Sequence, residues 1–139
     1  MFSKLFTKTI DCQFPTAANN TKAVGDWAEQ LACDWLVKHG LIFQARNFRS
    51  RYGEIDLIMK DHNCLVFVEV KYRKNSFYGS AADAITAKKC QRLKVTAEKY
   101  LQTKAAGNNT EARFDVVTIS RAKEPDFHCT INWIKNILL

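Results

Sequence analysis

Residues 53–73, GEIDLIMKDHNCLVFVEVKYR, decide the fold because they contain two apolar runs separated by a short polar turn. The letters DHN between the runs make a loop of hairpin length, which predicts two antiparallel neighbouring strands. In the second run Leu65 and Phe67 share one face, while Val66 and Val68 share the other. Both faces are apolar, so we expect this strand to be covered on both sides of its sheet.

Further helices and strands are predicted on either side of this hairpin. Apolar residues recur at helical intervals after Thr21, and Gly40 supplies a stop signal. The predicted elements are a helix from Thr21 to about Gly40, strands over 41–48, 54–60 and 64–73, a helix over 81–104 and a strand over 113–120. The last letters, INWIKNILL, fit a short amphipathic helix or a final strand. The order predicts one α/β or α+β domain over residues 21–139, with a mixed sheet flanked by helices, after a flexible arm over residues 1–20.

The composition favours a polyanionic partner. The chain has 139 residues and a net charge of +7, from 21 Lys and Arg against 14 Asp and Glu. That balance is typical of proteins that bind nucleic acid or an anionic membrane surface. No apolar run approaches the roughly 20 residues that span a bilayer. The first residues lack the apolar core of a secretory signal, so we expect a cytoplasmic protein.

The cysteines and histidines give no sign of a metal site or a catalytic triad. Their number and wide spacing, without any C-x-x-C pair, predict reduced and mostly buried thiols rather than zinc ligands. The histidines are equally isolated, and no catalytic role is predicted for them. These residues are Cys12, Cys33, Cys64, Cys90, Cys129, His39, His62 and His128.

Three charged residues interrupt the apolar hairpin. Glu69 and Lys71 share a strand face, and a hairpin in register brings Asp56 within a few ångströms of Glu69. Two carboxylates this close repel each other, and a divalent cation such as Mg²⁺ removes the penalty. Lys71 can then orient a water molecule or offset charge at a phosphate. The alternative is a solvated Glu–Lys pair with an aspartate that caps a turn.

A family resemblance favours the metal-site hypothesis. Asp56, followed thirteen positions later by Glu69-Val70-Lys71, resembles the core of the PD-(D/E)xK nucleases, with Ile55 in place of the proline. Four ordered motifs together resemble the YraN family of predicted endonucleases, which are similar in fold to archaeal Holliday-junction resolvases. These motifs are GEIDLI (53–58), VFVEVKYR (66–73), KKCQRL (88–93) and RFDVV (113–117). The resemblance implies a restriction-endonuclease-like α/β fold with an αβββαβ core.

The resemblance also implies roles for individual residues. Asp56, Glu69 and the carbonyl of Val70 would hold Mg²⁺ or Mn²⁺, and Lys71 would be the catalytic lysine. Glu29, in the letters AEQLA of the first helix, matches a family glutamate that would hold a second metal ion or a water molecule. A glutamate at the border of the helix face is the alternative. Resolvases act as two-fold dimers, so a homodimer is expected by analogy only.

Basic residues near these motifs predict a nucleic-acid surface. We expect them to form one groove wall that holds phosphates beside the metal, and Lys89 matches a lysine of the family's second-helix motif. The predicted wall contains Arg46, Arg49, Arg51, Arg73, Lys74, Lys88, Lys89 and Arg92. Phe77 and Tyr78 would stack on an opened base or pack in the core.

The resulting hypothesis is a metal-dependent endonuclease that hydrolyses DNA and recognises its substrate by DNA structure, whether branched, flapped or single-stranded. The expected cellular role is recombination or repair. One alternative is a catalytically silent nucleic-acid-binding module that retains the nuclease fold. Another is a basic structural protein whose charge binds RNA.

Overall fold

The element order follows the sequence prediction, with one additional strand at the start. The computed structural model describes residues 4–12, 14–15, 20–73, 86–107, 111–121 and 128–137. These residues form β1 (Lys4–Asp11), α1 (Thr21–Lys38), β2 (Ile42–Ser50), β3 (Gly53–Asp61), β4 (Cys64–Arg73), α2 (Ala87–Leu101), β5 (Glu111–Arg121) and β6 (His128–Lys135). A 3₁₀ turn, Lys104–Ala106, follows α2. The predicted order of α1, β2, β3, β4, α2 and β5 is confirmed, and the fold class is α/β.

The described strands form a single mixed sheet in the order β1-β6-β5-β4-β3-β2. Strands β3 and β4 are antiparallel, as the hairpin loop predicted. Strands β4 and β5 are parallel, with Cys64 opposite Glu111 at one end and Arg73 opposite Ser120 at the other. A parallel pair needs a crossover connection, and α2 lies between these two strands in the chain.

Both faces of β4 are buried, as its apolar pattern predicted. Val66 and Val68 pack with Leu36 of α1 on one face of the sheet. Leu65 and Phe67 pack with Leu93, Tyr100 and the rest of the apolar side of α2 on the other face. The two helices therefore cover opposite faces, and β4 lies between two apolar cores.

Side-chain caps fix where the helices begin. Asn20 Oδ1 accepts hydrogen bonds from the first main-chain N–H groups of α1, and Thr86 Oγ1 accepts one from Lys89 N at the start of α2. Gly40, with φ +93°, follows the end of α1 in a conformation that favours glycine. The predicted helical residues 81–85 lie outside the described part of the chain. No helix within the described ranges is long and apolar enough to cross a membrane.

The N-terminal segment is a strand where a flexible arm was expected. Strand β1 pairs antiparallel with β6, from Lys4 opposite Lys135 to Asp11 opposite His128. The prediction of a flexible arm is therefore wrong for residues 4–11. Strand β1 is an edge strand whose residues 6–9 are all exposed, so its sequence lacks the apolar alternation that marks a half-buried strand.

A disulfide also joins the two ends of the chain. Cys12 and Cys129, 117 positions apart, are bonded, whereas Cys33, Cys64 and Cys90 are free thiols. The expectation that all five cysteines are reduced is wrong for this pair. Cysteine spacing alone does not give connectivity, so the sequence could not predict the bond.

Candidate functional site

Asp56 lies where the ladder of the β3–β4 hairpin ends. Leu57 opposite Val68 is the last strand pair on this side. Beyond it, Asp56 Oδ2 accepts a hydrogen bond of 2.8 Å from the main-chain N–H of Val70. The carboxyl group thus satisfies a main-chain donor that strand pairing would otherwise satisfy. This bond holds Asp56 against β4, beside the next residue of interest.

Glu69 is buried beside Asp56 and contacts two lysines. Its side chain is 6% exposed and points to the face of the sheet that α2 covers, as does Phe67 two positions earlier. Asp56 and Glu69 lie within hydrogen-bonding distance of each other. Lys89 Nζ of α2 contacts Glu69 Oε1, and Lys71 Nζ lies 3.6 Å from the same atom. The structure therefore brings Asp56, Glu69 and Lys71 together.

The electrostatic environment favours the protonated form of Asp56. Burial and the neighbouring Glu69 carboxylate raise the pKa of Asp56 to about 8, against the opposing effect of the Val70 N–H. At pH 7 a carboxyl group with this pKa is mainly protonated, so it can donate a hydrogen bond to Glu69. The raised pKa of Asp56 reflects burial and the repulsion predicted from the sequence.

The two lysines are shifted in opposite directions. Burial and the adjacent Lys89 lower the pKa of Lys71. Burial is the largest single influence on Lys89 and opposes its charge, but the hydrogen bonds to Glu69 and Lys71 and the charges of Glu69 and Asp56 together outweigh burial and raise the pKa of Lys89. Lys89 is therefore the firmly charged member of the pair, and Lys71 is the one closer to a neutral amine.

Glu29 of α1 joins the site through Asn47 of β2. The strand register places Asn47 opposite Asp56, and Asn47 has the left-handed φ of +53°. In the amide orientation that satisfies both partners, Asn47 donates to Glu54 at 2.8 Å and to Glu29 at 3.1 Å. Arg46 Nε lies 3.5 Å from Glu29. Burial raises the pKa of Glu29, and Arg46 partly offsets that effect.

The acids open into a cleft beside the start of α2. This carboxylate cleft has a volume of about 480 Å³. The described residues that line it are Gly53, Glu54, Asp56, Glu69, Thr86, Lys88, Lys89, Arg92 and Leu93. A buried carboxyl group, two half-buried ones and basic helix side chains thus line the same cleft, a combination that suits a phosphate group and a cation together.

The structure places the described basic residues of the predicted groove wall at several separate positions. Lys88, Lys89 and Arg92 line the carboxylate cleft, and Arg49 and Arg51 line a neighbouring groove that also includes Arg92. Arg46 instead donates to Gln30 Oε1 and to the Asp26 carbonyl of α1. Arg73 lies at the end of β4, opposite Ser120 of β5. Lys74, Phe77 and Tyr78 lie outside the described residues.

The donor set fits magnesium better than zinc. Over the described ranges, no group of three or more His, Cys, Asp and Glu side chains is placed to hold a metal ion. Zinc sites use three or four protein ligands, whereas Mg²⁺ commonly takes one or two carboxylates and completes its shell with water and phosphate. Asp56 and Glu69 form such a pair, and its mutual repulsion is what a dication would relieve.

Sequence reasoning assigned no role to three residues of the site, Asn47, Glu54 and Thr86. Asn47 had a detectable signal, because asparagine is one of the few residues that adopt a left-handed conformation within a strand pattern. Glu54 lies inside the GEIDLI motif but was not singled out. Thr86 precedes the helix that it caps, and the predicted helix boundary lay upstream of it.

Comparison with known proteins identifies the family. The model described as "Uncharacterised protein family UPF0102" matches residues 28–119. A UPF0102 protein of Nitrosococcus oceani is 46% identical over 112 residues, which cover 81% of this chain and 88% of the relative. One from Aliivibrio fischeri strain MJ11 is 45% identical over 122 residues, covering 86% and 94%. One from Vibrio parahaemolyticus is 40% identical over 117 residues, covering 84% and 93%. The chain therefore belongs to the UPF0102 family, the YraN family that the four sequence motifs indicated.

Proposed function

We propose that the protein is a metal-dependent endonuclease that hydrolyses phosphodiester bonds of DNA. One observation carries the proposal: the carboxyl groups of half-buried Asp56 and buried Glu69 lie together in a cleft lined by basic residues, and Lys71 lies beside Glu69. A structural ion pair needs one acid, whereas this arrangement keeps a second acid at an electrostatic cost. Such a cost is typical of a functional site.

The cofactor of the proposed reaction is Mg²⁺ or Mn²⁺. Asp56, Glu69 and the Val70 carbonyl would hold the ion. When bound, it would lower the pKa of a coordinated water molecule and neutralise charge on the phosphate. Binding requires Asp56 to lose its proton and Lys89 to release Glu69, so the ion and Lys89 compete for the same carboxylate.

The remaining residues position the reactants. We assign to Lys71 the orientation of the attacking water and the offsetting of charge on the phosphate. Lys88, Lys89 and Arg92 would hold the flanking phosphates. Glu29, fixed by Asn47, would hold a second ion or an ordered water. Water adds to phosphorus as one ester P–O bond breaks, which leaves a phosphate end and a hydroxyl end.

The proposed substrate is recognised by its structure rather than by its base sequence. Branched, flapped or single-stranded DNA fits a basic cleft that contacts the backbone. A role in recombination or repair and a homodimer that acts on two strands go with this substrate by analogy. The cytoplasm is the proposed location. There a Cys12–Cys129 bond would be of the redox-sensitive kind, because stable disulfides are rare in that compartment.

A cleavage assay with matched variants tests the proposal. Purified protein is incubated with Mn²⁺ or Mg²⁺ and labelled duplex, flap, branched and single-stranded DNA. We expect metal-dependent cleavage that falls at least about 100-fold in Asp56→Asn, Glu69→Gln and Lys71→Met. Glu98→Gln, an exposed acid on α2, is the control and should cleave as the wild type does. Equal cleavage by all five proteins would mean that the activity belongs to a contaminant.

Two contacts of Glu69 favour a second candidate, a catalytically silent nucleic-acid-binding module. Lys89 and Lys71 both lie against the Glu69 carboxylate and offset its charge. If that pairing is the whole role of Glu69, calorimetric titration will show no binding at millimolar Mg²⁺, and Glu69→Gln will leave DNA affinity unchanged. A metal site that disappears in Glu69→Gln would exclude the silent module.

A further inference from the structure

A second groove continues from the carboxylate cleft along the turn between β2 and β3. We call it the hairpin groove, after the β2–β3 hairpin whose turn lines it, and its volume is about 670 Å³. The described residues that line it are Arg49, Ser50, Arg51, Tyr52, Gly53, Glu54 and Arg92. Gly53, Glu54 and Arg92 also line the carboxylate cleft, so the two spaces meet at these residues. A strand lying in one would enter the other.

The turn that carries Tyr52 is anchored to α2. Ser50 Oγ lies 3.0 Å from the hydroxyl oxygen of Thr96, a fully buried residue of α2, and accepts a hydrogen bond of 3.1 Å from Tyr52 N. A Cβ added to Gly53 would lie 3.4 Å from both Thr96 Oγ1 and Arg92 Cβ, so the turn packs closely on the helix. The backbone below Tyr52 is thus held in a fixed position relative to the cleft.

The groove combines one exposed aromatic ring with guanidinium groups. Tyr52 is 45% exposed, and the guanidinium carbon of Arg51 lies 5.4 Å from the centre of its ring. Glu54 pairs with Arg49 at 3.2 Å, so its negative charge is balanced within the groove. Among the described residues, no acidic side chain forms an ion pair with Arg51 or Arg92, so both can meet an anionic strand. An aromatic face beside basic side chains is the arrangement that binds unpaired nucleotides, whose bases stack while their phosphates pair with the cations.

We propose that the hairpin groove binds a single-stranded DNA segment, with Tyr52 stacked on an unpaired base next to the phosphate held in the carboxylate cleft. The inference rests on the proposed nuclease function and specifies its substrate. In a duplex both faces of each base are covered by neighbouring bases, so the Tyr52 ring has no base face to contact. Selection for single strands then comes from the ring, whereas the arginines contact the phosphates of both forms.

Binding measured without metal ions separates this inference from the nuclease proposal. Fluorescence anisotropy is recorded in EDTA for a labelled oligonucleotide, its duplex and an RNA of the same sequence. We expect Tyr52→Ala to weaken single-strand binding by about tenfold and duplex binding by less than about twofold. Tyr52→Phe, which keeps the ring, should bind as the wild type does. Phe43→Ala is the matched control, because Phe43 is 46% exposed at the other end of β2 and does not line the groove.

Each outcome of these measurements bears on either the groove inference or the nuclease proposal. Unchanged single-strand binding by Tyr52→Ala, or an equal loss for duplex and single strand, would overturn the inference and assign the tyrosine to the solvated surface. Failure of Tyr52→Phe to bind would overturn the stacking role, and tighter binding of RNA would overturn the choice of DNA. If the wild type binds single strands through Tyr52 but never cleaves them, the nuclease proposal is contradicted. The assignment of the groove as a single-strand binding site would then still hold.

Discussion

Asp56 combines two opposing influences at one carboxyl group. The Val70 N–H favours its charged form, while burial and Glu69 favour its neutral form and win, because the pKa is raised to about 8. A protonated Asp56 accepts from Val70 through one oxygen and can donate to Glu69 through the other. An asparagine side chain can do both without titrating. The residue is therefore costly for stability and valuable only if a cation binds.

Replacement of Asp56 by asparagine should stabilise the metal-free protein at high pH. The folded-state pKa lies above the ordinary value of 3.8, so the folded wild type holds an extra proton between about pH 4 and 8 and loses stability as pH rises through that range. We expect Asp56→Asn to exceed the wild type by roughly 2 kcal/mol at pH 8.5 and by less at pH 5.5. Urea unfolding in EDTA measures this, and an equal loss of stability at both pH values would contradict it.

Asn47 contributes through its backbone and its side chain separately. Its φ of +53° disfavours residues other than glycine and asparagine, and its amide bridges Glu29 and Glu54. Asn47→Ala should lose both contributions and cost about 2 kcal/mol, whereas Asn47→Gly should retain the backbone conformation and lose only the bridge, at about 1 kcal/mol. Denaturant unfolding gives the two values. If Asn47→Gly is as unstable as Asn47→Ala, the conformational part of this account is incorrect.

At the scale of elements, much of the fold could be predicted because its signals are local. The continuous apolar run in β4 predicted a strand buried on both faces, and the short DHN loop predicted its antiparallel partner. The closeness of Asp56 and Glu69 followed from these two facts. Strand β1 and the contact of Lys89 with Glu69 could not be predicted, because each joins segments whose proximity only the complete fold determines.

The Cys12–Cys129 bond should stabilise the docking of β1 on β6. It closes a loop of 117 positions, and removal of a native disulfide typically costs about 2–5 kcal/mol. We expect a reductant to lower the free energy of unfolding by that amount in the wild type and to have no effect in Cys12→Ser. Alkylation of the unfolded, unreduced chain followed by mass spectrometry should label three cysteines, Cys33, Cys64 and Cys90. Five labelled cysteines would show that the bond does not form.

At the scale of the whole molecule, part of the basic charge behind the net charge of +7 lies at the carboxylate cleft. Lys88 of α2 lines the carboxylate cleft, whereas Lys94 of the same helix is exposed and does not line it. Each phosphate contact on a single strand contributes about 0.7 to the slope of log affinity against log salt. Lys88→Gln should therefore reduce the slope by about 0.7, and Lys94→Gln should leave it unchanged. Equal slopes for both variants would place the DNA elsewhere.

The proposed function requires a dication to bind between Asp56 and Glu69. Anomalous diffraction from crystals soaked in Mn²⁺ tests this binding, at saturating ion and at a pH above 8 so that Asp56 is ionised. We expect an anomalous peak in contact with oxygen atoms of both carboxylates and no peak there in Asp56→Asn crystals. A wild-type map without a peak at this position, with Lys89 still bound to Glu69, would contradict the proposed metal site.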